Sequence, residues 1–123
     1  MSDIEMPFSS LDPAIAKALA DRGFTALTPV QRAMVDPNLD GRDLRITSQT
    51  GSGKTVAIGL TLLEAIREAK GPPRALVIAP TRELAKQVND ELSWLYAEVP
   101  AAVAAVTGGT SFREEMRSLG RKP

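Results

Sequence analysis

The 123 residues, 43% hydrophobic and 24% charged, suffice for one compact domain and exclude a collagen-like, low-complexity or disordered chain. Fifteen basic side chains balance fifteen acidic ones, so any nucleic-acid contact has to come from a local patch rather than from the field of the whole domain. Without Cys or His there is no disulfide framework, no zinc site and no imidazole acid or base; without a signal-like N-terminus or a run of eighteen apolar residues, a soluble cytoplasmic protein with no membrane contact is expected.

In chain order, Asp12-Pro13 is a helix start, an N-cap followed by proline at the first helical position, and Gly23 is placed to close that helix. Leu11, Ile15 and Leu19 fall on one of its faces. Thr28-Pro29 opens a second helix reaching about Val35, and residues 36–43 read as a turn-rich loop. Residues 44–47 form a short strand-like run, followed by the glycine-containing stretch 48–53 and a helix from about Lys54 to Ala69. Val56, Ala57, Ile58, Leu60, Leu62, Leu63 and Ile66 cover nearly its whole circumference, which predicts buried first turns. Arg67 and Lys70 suit its C-terminal dipole, and Gly71-Pro72-Pro73 stops it. The continuously apolar run 75–79 reads as a strand covered on both faces. Thr81 then caps a helix with Leu84, Val88, Leu92 and Leu95 at helical spacing, and residues 101–106 make a third strand before Gly108-Gly109. Alternation of strand and helix after a helical region (1–43) predicts an α/β fold over 44–123, a doubly wound parallel sheet of right-handed βαβ units with ligands outside the carboxyl ends of the strands.

The stretch Ser48-Gln49-Thr50-Gly51-Ser52-Gly53-Lys54-Thr55 matches the G-x-x-x-x-G-K-[ST] loop, with Ser48 where the first Gly is usual. Gly51 and Gly53 permit backbone angles that turn consecutive N–H groups inward, an anion nest at the start of a helix. Lys54 adds a point charge for the outer phosphates of a nucleoside triphosphate, and the Thr55 hydroxyl can take one place around Mg²⁺. A flexible Gly/Ser connection would leave unexplained a Lys-Thr pair in register between a strand-like run and an apolar helix. The loop specifies nucleotide binding, not its use, since kinases, GTPases, transporters and helicases share it.

The flanking residues narrow the choice. Gly23-Phe24-Thr25-Ala26-Leu27-Thr28-Pro29-Val30-Gln31 upstream, and Pro80-Thr81-Arg82-Glu83-Leu84-Ala85 and Gly108-Gly109 downstream, resemble in order the Q motif, motif Ia and glycine pair of the DEAD-box ATP-dependent RNA helicases. The resemblance covers essentially the whole chain and implies the N-terminal part of a first RecA-like P-loop domain. It implies that Gln31, seventeen residues before Ser48, reads the edge of adenine, an amide offering one donor and one acceptor as adenine requires. Thr28 and Gln31 are also spaced as an S/T-x-x-E/Q capping box, so a structural role competes with the functional one. Phe8 resembles the upstream aromatic that packs against the base, and a core or staple phenylalanine is the other reading. Pro80, Thr81, Arg82, Gly108 and Gly109 are implied to line the RNA backbone without reading sequence. Trp94 and Tyr96 flank the Leu stripe, which favours packing over base stacking. Arg113, Arg117, Arg121 and Lys122 are diluted by Glu114 and Glu115, which favours a solvated surface. Arg45 is a charge inside the expected first strand, with no explanation in the sequence.

The resemblance also implies parts not found in these residues: an Asp-Glu-Ala-Asp motif, a Ser-Ala-Thr motif, and a second RecA-like domain that supplies arginines. The acids hold Mg²⁺ and position the attacking water, so the 123 residues alone are expected to bind ATP and Mg²⁺ without turning ATP over. Three strands would leave long apolar edges. The alternative reading is a non-catalytic nucleotide- or RNA-binding module from a truncated gene.

Overall fold

A computed structural model describes residues 11–39, 41–47, 49, 53–68, 75–108 and 111–120. Helix α1 (Pro13–Asp21) forms where both of its ends can be satisfied locally. The Asp12 carboxylate accepts from the Ala14 N–H at 2.9 Å, and Pro13 sits where a missing N–H costs nothing. At the other end Gly23 takes φ +91°, so that its N–H reaches the Ala20 carbonyl and the Phe24 N–H reaches Leu19, both at 3.0 Å. That pair of reversed bonds is the Schellman motif. The face read from the sequence is the buried one, with Ile15 and Leu19 wholly enclosed.

Helix α2 (Pro29–Met34) follows Thr28, and a single 3₁₀ turn (Pro37–Leu39) interrupts the loop after it. Helix α3 runs Lys54–Glu68, and helix α4 runs Arg82–Leu95 with Thr81 as its N-cap. Helix α5 (Phe112–Leu119) was not foreseen: its residues had suggested only a mixed-charge surface. The residues expected to stop α3, Gly71, Pro72 and Pro73, lie outside the described residues, as does Lys70, expected to suit its dipole. Arg67, expected to complement the helix dipole, also pairs with Asp12, joining the last turn of α3 to the cap of α1. The Arg67 guanidinium holds the Asp12 carboxyl below its usual range.

The core gathers Ile15 and Leu19 of α1, Leu27 ahead of α2, Val56 and Ile66 of α3, Leu92 and Leu95 of α4, and Tyr96 and Val99 just beyond it. Leu84, expected on the same stripe, is exposed, because α4 meets the core through its C-terminal half. The contact between α3 and α4 depends on Gly59. A Cβ there would lie 2.5 Å from Leu95 Cδ2 and 3.0 Å from Leu92 Cδ2. A glycine in a helix interior costs about 1 kcal/mol, offset by the close packing it allows. The buried Tyr96 hydroxyl crosses the same contact and donates to the Gly59 carbonyl at 2.6 Å. Trp94 stacks on Phe24, ring centroids 5.7 Å apart and planes 21° apart, with the Arg22 guanidinium 5.1 Å from its ring centre. Both aromatics therefore pack, as their position beside the Leu stripe suggested.

The three expected strands form no ladder among the described residues: 44–47, 75–79 and 101–106 take neither helical nor strand form. Residues 75–79 are not covered on both faces either, since Leu76 is 79% and Ile78 85% exposed. A continuously apolar strand is held by neighbours pairing its edges and covering its faces. Here the two apolar runs instead border an open groove of about 420 Å³, floored by Leu62, Ile66 and Leu92. The Asn89 side chain lines this groove, and its Oδ1 is buried without a hydrogen-bond partner. Arg45 loses its oddity: it is exposed between half-buried Leu44 and Ile46, the alternation of a run with one face toward the protein.

Candidate nucleotide site

Gln31 is the third residue of α2 and is fully buried. Its N–H reaches Thr28 Oγ1 at 3.4 Å, and its Oε1 accepts from the Thr28 N–H at 3.0 Å, completing the capping box. The other end of the amide does something a cap does not require. Nε2 donates to the carbonyl of Gly53, twenty-two residues away, at 3.2 Å. One end faces an N–H and the other a carbonyl, which fixes the orientation of the amide. Cap and long-range contact thus coexist, and the structural reading of Gln31 does not displace the functional one.

Gly53 opens α3. Its carbonyl accepts the first helical bond, from Ala57 N–H at 3.0 Å, together with the Gln31 bond. It has φ +87°, and a Cβ there would lie 2.2 Å from Gln31 Nε2 and 3.4 Å from Thr28 Oγ1. The backbone angle therefore favours glycine, and any Cβ would also push the Gln31 amide out of its present place. Lys54 and Thr55, the first two residues of α3, are half-buried where unsatisfied N–H groups and the positive end of the helix dipole favour an anion. Gln49 is exposed, while Ser48, Thr50, Gly51 and Ser52 lie outside the described residues, as does Phe8. Among the described residues no three His, Cys, Asp or Glu side chains cluster to hold a metal. The Thr55 hydroxyl is the one side-chain oxygen in the first turn of α3, a hard donor of the kind Mg²⁺ accepts beside phosphate oxygens and water. The apolar groove of about 420 Å³ described above lies elsewhere, with none of these residues in its lining.

The expected RNA-contacting residues stand on two loops, one after each apolar run. Pro80, Thr81 and Arg82 are exposed, with Arg82 the first residue of α4 and the Thr81 hydroxyl accepting from the Leu84 N–H at 3.1 Å. Gly108 is exposed at φ +73°, and Gly109 lies outside the described residues. The Thr107 and Gly108 N–H groups both donate to Glu115 Oε1, at 3.1 and 3.0 Å. This role of Glu115 was missed. The available signal was an acid one helical turn beyond Ser111, whose carbonyl accepts the Glu115 N–H at 3.1 Å and starts α5.

The family described as DEAD/DEAH box helicase matches residues 28–123. The ATP-dependent RNA helicase CshA of Listeria monocytogenes is 42% identical over 113 residues, covering 92% of this chain and 22% of that protein. The crystal structure of the RNA helicase Prp28 from Chaetomium thermophilum bound to ADP is 36% identical and superimposes with a TM-score of 0.80, over 90% of this chain and 28% of that one. Mss116p bound to ssRNA and AMP-PNP is 32% identical with a TM-score of 0.70, over 90% of this chain and 24% of that one. The chain thus spans about a quarter of the proteins it resembles, and within that span it has the α/β RecA-like fold. From Gln31 through the Lys54-Thr55 helix start to the Gly108 loop, the chain belongs to the DEAD/DEAH box helicase family.

Proposed function

We propose that this chain is the ATP-binding, N-terminal portion of the first RecA-like domain of an ATP-dependent RNA helicase. The observation that carries the reading is the bond from Gln31 Nε2 to the Gly53 carbonyl. It joins the residue that would recognise the base to the loop that would hold the phosphates. Each amide end of Gln31 has capacity for one further hydrogen bond, so the side chain can serve adenine while keeping its two protein partners once its enclosed surface opens to the base. The N–H groups around Gly53 and the start of α3 would bind phosphate oxygens, and the Lys54 ammonium would bind the outer phosphates. Thr55 would hold Mg²⁺, which supplies charge neutralisation on the phosphates when bound.

Arg82 and the Thr81 helix start, with the Gly108-Gly109 loop, would grip the RNA backbone by charge-assisted and amide hydrogen bonds that carry no base information. Duplex separation would require a second RecA-like domain closing on ATP, and a cytoplasmic location suits the reading. The 123 residues contain no Asp-Glu-Ala-Asp stretch to position an attacking water, so alone they should bind nucleotide without appreciable turnover.

The direct test is ATP affinity by calorimetry or fluorescent-nucleotide titration. Lys54→Ala should weaken binding about tenfold or more, the worth of a charge-assisted contact. Unchanged affinity in that variant would remove the phosphate loop from the account.

A further inference from the structure

Two consecutive N–H groups, those of Thr107 and Gly108, converge on a single oxygen of Glu115. Such convergence defines an anion nest. Its occupant is a carboxylate of the same chain, carried by α5 and placed on the loop where an RNA phosphate is read to sit. Each N–H has one hydrogen to give. A phosphate oxygen can take either amide only after the Glu115 oxygen has left, and a phosphate that approaches without displacing it meets a like charge at close range. The bond from the Gly108 N–H is exposed, so an incoming anion can reach it from solvent. Glu115 itself is half-buried, and its neighbours Arg113, Glu114 and Arg117 are exposed.

We propose that Glu115 is a built-in competitor of the RNA backbone: its carboxylate fills the phosphate seat at Thr107 and Gly108, and RNA has to expel it to bind there. The proposal rests on the reading of the Gly108 loop as an RNA contact. It gives that contact a threshold, because a weakly held anion does not displace an internal carboxylate whereas a strand anchored elsewhere, at Arg82, does. The competing role is that of a clamp, in which Glu115 shapes the loop and helps RNA to bind.

The two roles predict opposite signs. Binding of a single-stranded RNA oligonucleotide to the full chain is measured at one fixed salt concentration for wild type, Glu115→Ala, Glu115→Gln and Arg82→Ala. Gln preserves an oxygen for both amides and so keeps the loop's shape while removing the charge; Ala empties the seat. A competitor predicts that both Glu115 variants bind RNA more tightly, by about fivefold for loss of one close like charge, with Ala gaining at least as much as Gln. Weaker binding by Glu115→Ala, or wild-type affinity in Glu115→Gln, would overturn the proposal in favour of a clamp. Arg82→Ala tests the underlying reading separately, since it should weaken RNA binding whatever Glu115 does. If Arg82→Ala has no effect and none of the four proteins binds RNA, the RNA reading fails and the proposal falls with it.

Discussion

Gly53 meets two demands at once, a left-handed backbone angle and room for Gln31 Nε2 where a Cβ would stand. Gly53→Ala should therefore lower stability by about 2 kcal/mol and weaken ATP binding at the same time, measurable by urea unfolding and nucleotide titration. A loss in one without the other would separate the loop from the cap. Tyr96 is a purely structural counterpart. Its hydroxyl is buried against the Gly59 carbonyl, and burial pushes the phenol well above its ordinary value. The unfolded phenol ionises near pH ~10 while the folded one stays protonated, so this contribution is complete below about pH 10 and declines as pH rises further. Tyr96→Phe should cost about 1 kcal/mol at neutral pH and should flatten the alkaline loss of stability seen in unfolding midpoints between pH 9 and pH 11, a range set by the ordinary phenol value of about 10. Gln31 was legible as a motif residue, and its capping partner could be read from spacing. Its bond to Gly53 could not, because nothing in a linear pattern says which carbonyl lies within reach of a side chain twenty-two residues away.

Among the elements, the helices were legible because their ends carry local chemistry. Asp12, Pro13 and Gly23 delimit α1, and Thr28, Pro29 and Gln31 open α2. The same local chemistry started α4 at Thr81. Helix α5 escaped because its start depends on Ser111 and on a side chain that turns back to the preceding loop, while its charges read as surface. Asp12 serves both as cap of α1 and as partner of Arg67 on α3. Asp12→Ala should lower stability by about 1 kcal/mol, the usual worth of a lost N-cap. Because Arg67 depresses the carboxyl, the wild-type contribution is fully present above the ordinary aspartate value of about 3.9 and is lost as pH falls below it. The stability gap between wild type and Asp12→Ala should therefore close in unfolding measured from about pH 4 downward. A gap that stays constant through acid would mean that the ion pair contributes nothing.

At the scale of the molecule, the class of fold was legible from alternating apolar runs and helices, and the likeness to RecA-like domains of solved helicases bears it out. The sheet itself was not. Runs 75–79 and 101–106 have the composition of buried strands, yet pairing is a non-local property, and among the described residues they border a groove with Leu76 and Ile78 open to solvent. The Gly53 helix start, cap and core are nevertheless joined into one unit, since α3 begins at the Gln31–Gly53 contact and ends against Asp12. The central claim is that this unit selects adenine nucleotides. It is tested most directly by comparing ATP and GTP affinity in wild type and Gln31→Ala. The account predicts that wild type prefers ATP, and that the variant loses most of that preference as ATP binding weakens about tenfold, the worth of one or two hydrogen bonds to the base. Equal affinity for ATP and GTP in the wild type, or an undiminished preference for ATP in Gln31→Ala, would contradict it.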